Sequence, residues 1–296
     1  MSHLDDFISI NLHLTELCDM KCEVCFAKYP EGHRLRLDGW LECLHAIDRD
    51  TRSIGQRKIN FAGGEPTLLP YLDTLIIEAK RLGFTTGIIT NGRTVDDAFL
   101  ERCTSSLDTI GISVDSVFPE TNLLLGRHRE GVAWGSDEYL ELIKRVRACG
   151  YRLKVNTVVS ALNRNEDFSG FIAEASPERW KVMQCLIVEG QNDSAARLAV
   201  SDLDYRAFLS RHEASRNLVT EDSEIMRGSY VMIDPRGLPY GNAGGIAPYG
   251  QPIRSSGLLA QLDCLGYSVE KARERGADFF KGEDQALMLQ GNCRTT

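Results

Sequence analysis

Apolar positions along residues 7–188 follow two alternating rhythms. Short runs that alternate with period two, or are apolar throughout, predict strands at 7–14, 58–62, 85–90, 109–113, 152–159 and 180–188. Between them, apolar residues three and four apart predict helices at 38–53, 71–83, 95–103, 137–150 and 166–175. Asp38 suits an N-cap, and Gly83 and Gly150 suit positions just past a helix end. Strand–helix alternation is the pattern of a parallel α/β sheet, and six strands make an open, partial (β/α)6 TIM-type barrel rather than a closed one of eight. Residues 1–200 are expected to form it. After Asn192 the alternation is lost. A charged helix over 202–216 precedes SYVMI (229–233) and LPYGN (238–242), joined by Asp234-Pro235-Arg236-Gly237, whose residue types fit a type I turn and so predict a hairpin. Residues 201–296 read as a C-terminal extension capping the barrel mouth. Within it the Gly-rich run 241–250 is a lid or a surface loop, the last fifty residues are expected to be helical, and 290–296 form a polar tip.

The alternation also sorts chemistry onto one face. In the first strand Ile8, Ile10 and Leu12 oppose Ser9, Asn11 and His13; in the second, Ile59 and Phe61 oppose Lys58 and Asn60; Lys154 and Asn156 share a face, and Lys181 stands in an apolar run. Strands covered on both sides are almost wholly apolar, so a polar inner face implies a lumen that holds a polar ligand. Burying a lysine without a partner is costly. Lys58, Lys154 and Lys181, with Arg127 from a loop, therefore read as a cationic pocket for phosphates. The alternative is that each lysine snorkels from a strand end or pairs with a carboxylate.

A chain of 296 residues, 43% hydrophobic and 26% charged, is ample for a closed core. A net charge of −8 and a pI of about 5.4 argue against broad binding of nucleic acid or anionic membrane. Anionic ligands must be met by a few local cations. The acidic N-terminus is unlike a signal peptide and no run is long enough to span a membrane, so a cytoplasmic monomer with reduced thiols is expected.

Three of the nine cysteines, Cys18, Cys22 and Cys25, have C-x3-C-x2-C spacing on one loop after the first strand. Four thiolates normally fill a 4Fe–4S cluster, and spacings this short come from one loop wrapping the cube. With no fourth cysteine nearby, one iron is left for a non-protein ligand. A zinc site completed by His13 or His33 is the competing reading, whereas an odd count of scattered cysteines fits disulfides poorly. The remaining cysteines, Cys43, Cys103, Cys149, Cys185, Cys264 and Cys293, share no spacing pattern. Gly63-Gly64-Glu65-Pro66 follows the second strand directly, where two glycines let backbone approach a ligand closely.

Cys18, Cys22 and Cys25, with Gly63, Gly64 and Glu65 after the second strand, Asn91-Gly92 after the third and Ser113 with Asp115 after the fourth, resemble radical S-adenosylmethionine (SAM) enzymes. More specifically, KINFAGGEP (58–66), ISVDS (112–116) with NLLLGR (122–127), KVNTV (154–158), PERWKVMQC (177–185) running into Glu189-Gly190, and MRGSYVMID (226–234) resemble the viperin family over roughly 7–245. The resemblance implies a cluster on the three cysteines, SAM chelated at the open iron, and the SAM-contacting elements at Gly63, Gly64, Glu65, Asn91 and Ser113. It implies conversion of a nucleoside triphosphate, CTP or UTP favoured, to its 3′-deoxy-3′,4′-didehydro form, a chain-terminating antiviral nucleotide. The implied steps are hydrogen abstraction from ribose C4′, loss of the 3′ hydroxyl as water, and reduction by one electron and one proton. Lys58, Arg127, Lys154 and Lys181 would hold the triphosphate, Asn11 and Asn156 would lie against the ribose, and Tyr230 would supply a late hydrogen atom. An electron donor such as flavodoxin or ferredoxin and cluster-assembly machinery would be partners. The chain departs from the family at Val24, Ala62 and Asn242, lacks the N-terminal amphipathic helix of animal members, and ends in NCRTT (292–296) rather than an acidic, Trp-ended tail. A radical SAM enzyme acting on a peptide, and a zinc-stabilised binding protein, are the rival readings.

Overall fold

All six expected strands form, each within a few residues of its predicted bounds. In the computed structural model, which describes residues 6–245 and 247–277, the chain runs β1 (Phe7–His13), α1 (Leu37–Thr51), β2 (Gln56–Ala62), α2 (Leu72–Arg81), β3 (Thr85–Thr90), α3 (Asp97–Cys103), β4 (Thr109–Ser113) and α4 (Pro119–Leu124). A small ribbon of β5 (His128–Arg129) and β6 (Val132–Ala133) follows, then α5 (Ser136–Ala148), β7 (Arg152–Val159), α6 (Ser169–Ala175), β8 (Arg179–Gln184), α7 (Asp202–Arg211), β9 (Leu218–Glu221), α8 (Ser223–Met226), β10 (Val231–Ile233), β11 (Pro239–Tyr240), α9 (Ile253–Ser256) and α10 (Val269–Glu274). Cys293 and the expected polar tip at 290–296 lie outside the described residues.

The main sheet has the order β11-β10-β1-β2-β3-β4-β7-β8-β9. The six expected strands lie side by side and parallel, giving the partial barrel. The alternation runs one unit further than the sequence pattern showed, because α7 leads into β9, parallel to β8. The expected hairpin is β10 with β11, pairing Met232 with Tyr240 and Ile233 with Pro239. β10 also pairs in parallel with β1, so the hairpin extends the barrel wall. The sheet stays open between β9 and β11.

Ile8, Ile10, Leu12, Ile59, Phe61, Ile110, Ile112, Leu153, Val155, Trp180 and Val182 turn away from the lumen into one core with helix residues such as Trp40, Leu44, Leu75 and Ile143. Burial of each large side chain contributes about 1.5–3 kcal/mol, which pins the strand register and with it the polar set on the inner face. Gly83 and Gly150 follow their helices with φ of +83° and +81°, the left-handed cap that glycine favours. Asp38 is not an N-cap: Leu35 is already tied to the Pro235 carbonyl at 2.8 Å, and α1 starts at Leu37 with Asp38 in its first turn. β8 stops at Gln184 rather than 188, and the Val188 amide donates to the Asn192 side chain at 2.8 Å.

The extension reaches both ends of the lumen. Met226 and Asn242 line its mouth. At the opposite end Phe7 packs with Ala272 and Ala277, and Arg179 donates to the Gly276 and Arg275 carbonyls at 2.6 and 2.7 Å. Among the described residues no helix is long and apolar enough to cross a membrane.

Candidate active site

The lumen has two chambers. The upper one, about 260 Å³, is lined by Cys18, Cys22 and Cys25 together with Gly63, Gly64, Asn91 and Ser113. The cysteine loop is strapped to the turn after α4, with the Lys21 amide on the Gly126 carbonyl at 3.2 Å and the Glu23 amide on Leu125 at 2.9 Å. Val24 packs with Leu125, Cys185 and Leu198. The Met20 and Ala27 amides point at the sulfurs of Cys18 and Cys25, each at 3.4 Å, and favour thiolate. Burial acts the other way, pushing the Cys18 thiol up to about 12 and the Cys22 thiol to about 11, so iron binding has to displace protons.

The donor set fits a cluster better than one zinc ion. No three His, Cys, Asp or Glu side chains among the described residues converge on a single metal position, as tetrahedral zinc requires. Three thiols spread around one cavity suit a cube that takes one cysteine per iron. His33 is exposed, and His13, whose Nδ1 is engaged with the Tyr29 hydroxyl at 2.6 Å, belongs to no such convergent group.

The glycines after β2 are needed where they stand. The Gly64 amide donates to Thr15 O at 2.6 Å and the Glu65 amide to Leu17 O at 2.7 Å. A Cβ on Gly64 would lie 2.2 Å from that Leu17 carbonyl. This segment therefore lies directly against the chain entering the cysteine loop. Glu65 itself is wholly buried and its carboxylate faces away from the cavity. It accepts from the Thr67 hydroxyl at 2.6 Å, the Thr90 hydroxyl at 2.8 Å and the Asn91 amide at 2.7 Å, tying the ends of β2 and β3 together. Asn91 Nδ2 donates to Asp19 at 2.7 Å, which orients the loop from the other side.

Arg127 does not join the lysines. Its guanidinium is paired with Asp115, with Nε 2.9 Å from Oδ2, and lines the upper chamber near Cys22. The reason is local: α4 and its turn place Arg127 over the end of β4, while the lysines lie deeper in the strands. Asp115 Oδ1 also accepts from the Val158 amide at 2.9 Å, so the pair braces β4 against β7.

The lower chamber, about 40 Å³, is lined by Lys58, Lys154 and Lys181 with Arg179, and has Arg275 and Ala277 at its base. Burial and the neighbouring cations hold Lys58 and Lys154 well below the usual lysine range, and burial brings Lys181 down to about 8 despite Glu221 beside it. Lys154 has no hydrogen bond or ion pair among the described residues. An anion in this chamber would reverse the penalty. Asn11, Ile89, Asn156, Lys181 and Tyr230 line both chambers, so the two adjoin. Asn156 Nδ2 is buried without a hydrogen-bond partner among the described residues; Gly111 opposite makes room for it, since a Cβ there would lie 3.1 Å from that nitrogen. Asn11 Oδ1 accepts from Asn60 at 3.0 Å. Tyr230 precedes β10, and its hydroxyl meets Glu221 and Lys181.

Sequence reasoning missed Arg179, Glu221 and Arg275. Arg179 was legible, since it lies two residues before Lys181 and so on the same strand face; placing the strand start at 180 excluded it. Glu221 ends a four-residue strand and Arg275 follows a six-residue helix, and neither carries a local signal.

Residues 12–171 match the radical SAM superfamily. A S-adenosylmethionine-dependent nucleotide dehydratase from Flammeovirga pacifica is 39% identical, the alignment covering 90% of this chain and 93% of that protein. One from Lacinutrix mariniflava is 40% identical over 90% of this chain, but the chain spans only 57% of that protein's length. In fold, Streptococcus suis SuiB, solved bound to S-adenosylmethionine, matches with a TM-score of 0.65 at 18% identity, over 92% of this chain and 68% of that one. The chain thus belongs to the radical SAM superfamily, whose cofactors are a 4Fe–4S cluster and S-adenosylmethionine, and within it to the viperin family of S-adenosylmethionine-dependent nucleotide dehydratases.

Proposed function

We propose that the chain takes a nucleoside triphosphate, CTP or UTP favoured, into its lumen and converts it to the 3′-deoxy-3′,4′-didehydro analogue, a chain-terminating antiviral nucleotide. The observation that carries this reading is that the thiol-lined and the cationic chamber adjoin across Asn11, Asn156, Lys181 and Tyr230, so that a single ligand would present its ribose to the thiol-lined end and its phosphates to the cationic end. Cys18, Cys22 and Cys25 would hold three irons, and Gly63, Gly64, Asn91 and Ser113 would lie against SAM. Bound together, these cofactors supply a 5′-deoxyadenosyl radical that takes a hydrogen atom from substrate.

The chain's own residues do the rest. Lys58, Lys154, Arg179 and Lys181 would meet the phosphates with charge-assisted hydrogen bonds. Asn11 and Asn156 would hold the ribose, the orphaned Nδ2 of Asn156 finding its acceptor there. Arg127, paired with Asp115, belongs to the cofactor end. After the 4′ hydrogen is taken, expelling the 3′ hydroxyl as water and closing the C3′–C4′ double bond needs one electron and one proton, and a phenol can give both; we assign that to Tyr230. A one-electron donor such as flavodoxin or ferredoxin and cluster-assembly machinery are the protein partners this chemistry calls for.

The test is anaerobic incubation of reconstituted, reduced protein and SAM with CTP, UTP, GTP and ATP in turn. CTP or UTP should stimulate 5′-deoxyadenosine most, together with a nucleotide lighter by one water. Formation of 5′-deoxyadenosine at one rate with all four, and no dehydrated nucleotide, would sink the reading.

A further inference from the structure

Glu221 ends β9 as a carboxylate with 0% exposure, and nothing proposed above uses it. Its Oε2 accepts the Tyr230 hydroxyl and lies 2.9 Å from the Lys181 ammonium, which also donates to the tyrosine oxygen. The three groups close a triangle where the two chambers meet. Arg275 completes the setting, with its guanidinium 3.9 Å from the Tyr230 ring centroid and 3.7 Å from Glu221 Oε1, an oxygen with no hydrogen-bond partner among the described residues. Pairing with β8 and a 3.1 Å bond from the Glu221 amide to the Tyr205 hydroxyl hold the carboxylate's backbone.

A packing tyrosine needs none of this. Tyr205, in the same region, satisfies its hydroxyl on the Val182 carbonyl at 2.8 Å. A buried carboxylate is costly unless it is neutralised, so building one against Tyr230 calls for a reason. We propose that Glu221 and Lys181 form the proton relay of Tyr230, with Glu221 as the positioning residue that holds the phenol and the ammonium against each other.

The relay rests on the reading of Tyr230 as hydrogen donor. In that step the Tyr230 O–H bond breaks, its proton leaves with the 3′ hydroxyl as water, its electron closes the C3′–C4′ double bond of the nucleotide, and a phenoxyl radical remains. One electron from a low-potential one-electron donor, the class of reductant the cofactors already require, converts it to phenolate. Lys181 passes a proton along its hydrogen bond to restore the phenol, and the amine recovers a proton from water. Burial brings Lys181 down to about 8, near enough to neutrality for both transfers. Burial first, and then the adjacent carboxylate, raise the phenol's affinity for the proton. Lys58, Lys154, Arg179 and Arg275 are the other charged groups lining this end, all cationic.

Glu221→Gln keeps the shape and removes the charge. In the cofactor-free chain, with tyrosine carrying 13C at the phenol carbon and Tyr230→Phe assigning the resonance, the substitution should lower the ionisation midpoint of Tyr230 by about one pH unit or more. An unchanged midpoint would overturn the relay. In the loaded enzyme under single-turnover conditions, Glu221→Gln should bind CTP no more weakly than wild type, form 5′-deoxyadenosine, accumulate a phenoxyl radical visible by electron paramagnetic resonance, and lose roughly tenfold in dehydrated nucleotide per 5′-deoxyadenosine. Glu221→Asp, which keeps the charge on a shorter arm, should recover part of the coupling, and it carries the test if Glu221→Gln does not fold. Wild-type coupling without a radical in either variant overturns the proposal. Tyr230→Phe separates the two claims: if it stays coupled, the reading of Tyr230 fails, and if it uncouples while the Glu221 variants do not, only the relay fails.

Discussion

Cys22 is held by its neighbours on both sides, since Lys21 and Glu23 are hydrogen-bonded to the turn that ends at Gly126. Its removal leaves two thiolates for the cube. After anaerobic reconstitution, Cys22→Ala should retain no more than roughly a tenth of wild-type iron and sulfide, whereas Cys43→Ala, whose thiol is buried beside Leu35 and Gly237, should retain it. Full iron in Cys22→Ala would refute the cluster assignment. Lys154 gives a second prediction at this scale. It has no ion pair among the described residues, and Lys154→Ala should weaken CTP binding by about 1.5–3 kcal/mol while changing CMP binding far less. Calorimetry with both nucleotides checks this, and equal losses for the two would count against a phosphate role.

At the scale of elements, α6, β8 and α7 meet around His212. Its Nδ1 is 2.8 Å from the Phe208 carbonyl, its Nε2 accepts the Phe168 amide at 2.9 Å, and its ring lies 5.1 Å from Trp180. An Nε2 that accepts is unprotonated, so the ring is neutral, and burial holds its pKa below the ordinary value. A histidine with a lowered folded-state pKa adds stability that is complete above its unfolded value of about 6.5 and is lost as pH falls below it. Urea unfolding at pH 8 and at pH 5.5 should therefore show less stability in acid, and His212→Gln should show a smaller difference between the two. An undiminished slope in the variant would assign the acid sensitivity to other groups.

Much of this layer was legible in advance. The six strands declared themselves because one face is apolar with period two, and the same period carried Asn11, Lys58, Lys154, Asn156 and Lys181 onto the lumen. The edges were not legible. β9 has four residues and β10 three, too short for a period to register, and their pairing with β8 and β1 is a long-range choice that no local signal encodes. The surroundings of Arg127 were not legible for a related reason, since a loop residue has no face to be read from, and only the fold shows its pairing with Asp115.

Across the whole molecule, a chain with a net charge of −8 turns five cations, Lys58, Lys154, Arg179, Lys181 and Arg275, toward one end of its lumen and three thiols toward the other. The segment carrying Arg275 closes the cationic end, held by the two bonds from Arg179. This polarity makes the account depend on a single ligand lying along the axis with its ribose between the chambers. The most direct measurement uses CTP and UTP carrying deuterium only at ribose C4′, incubated with reconstituted, reduced enzyme and SAM, and reads the label in 5′-deoxyadenosine by mass spectrometry. The account predicts one deuterium in the 5′-deoxyadenosine formed and none in the dehydrated nucleotide. Unlabelled 5′-deoxyadenosine alongside a nucleotide that keeps its deuterium would contradict it.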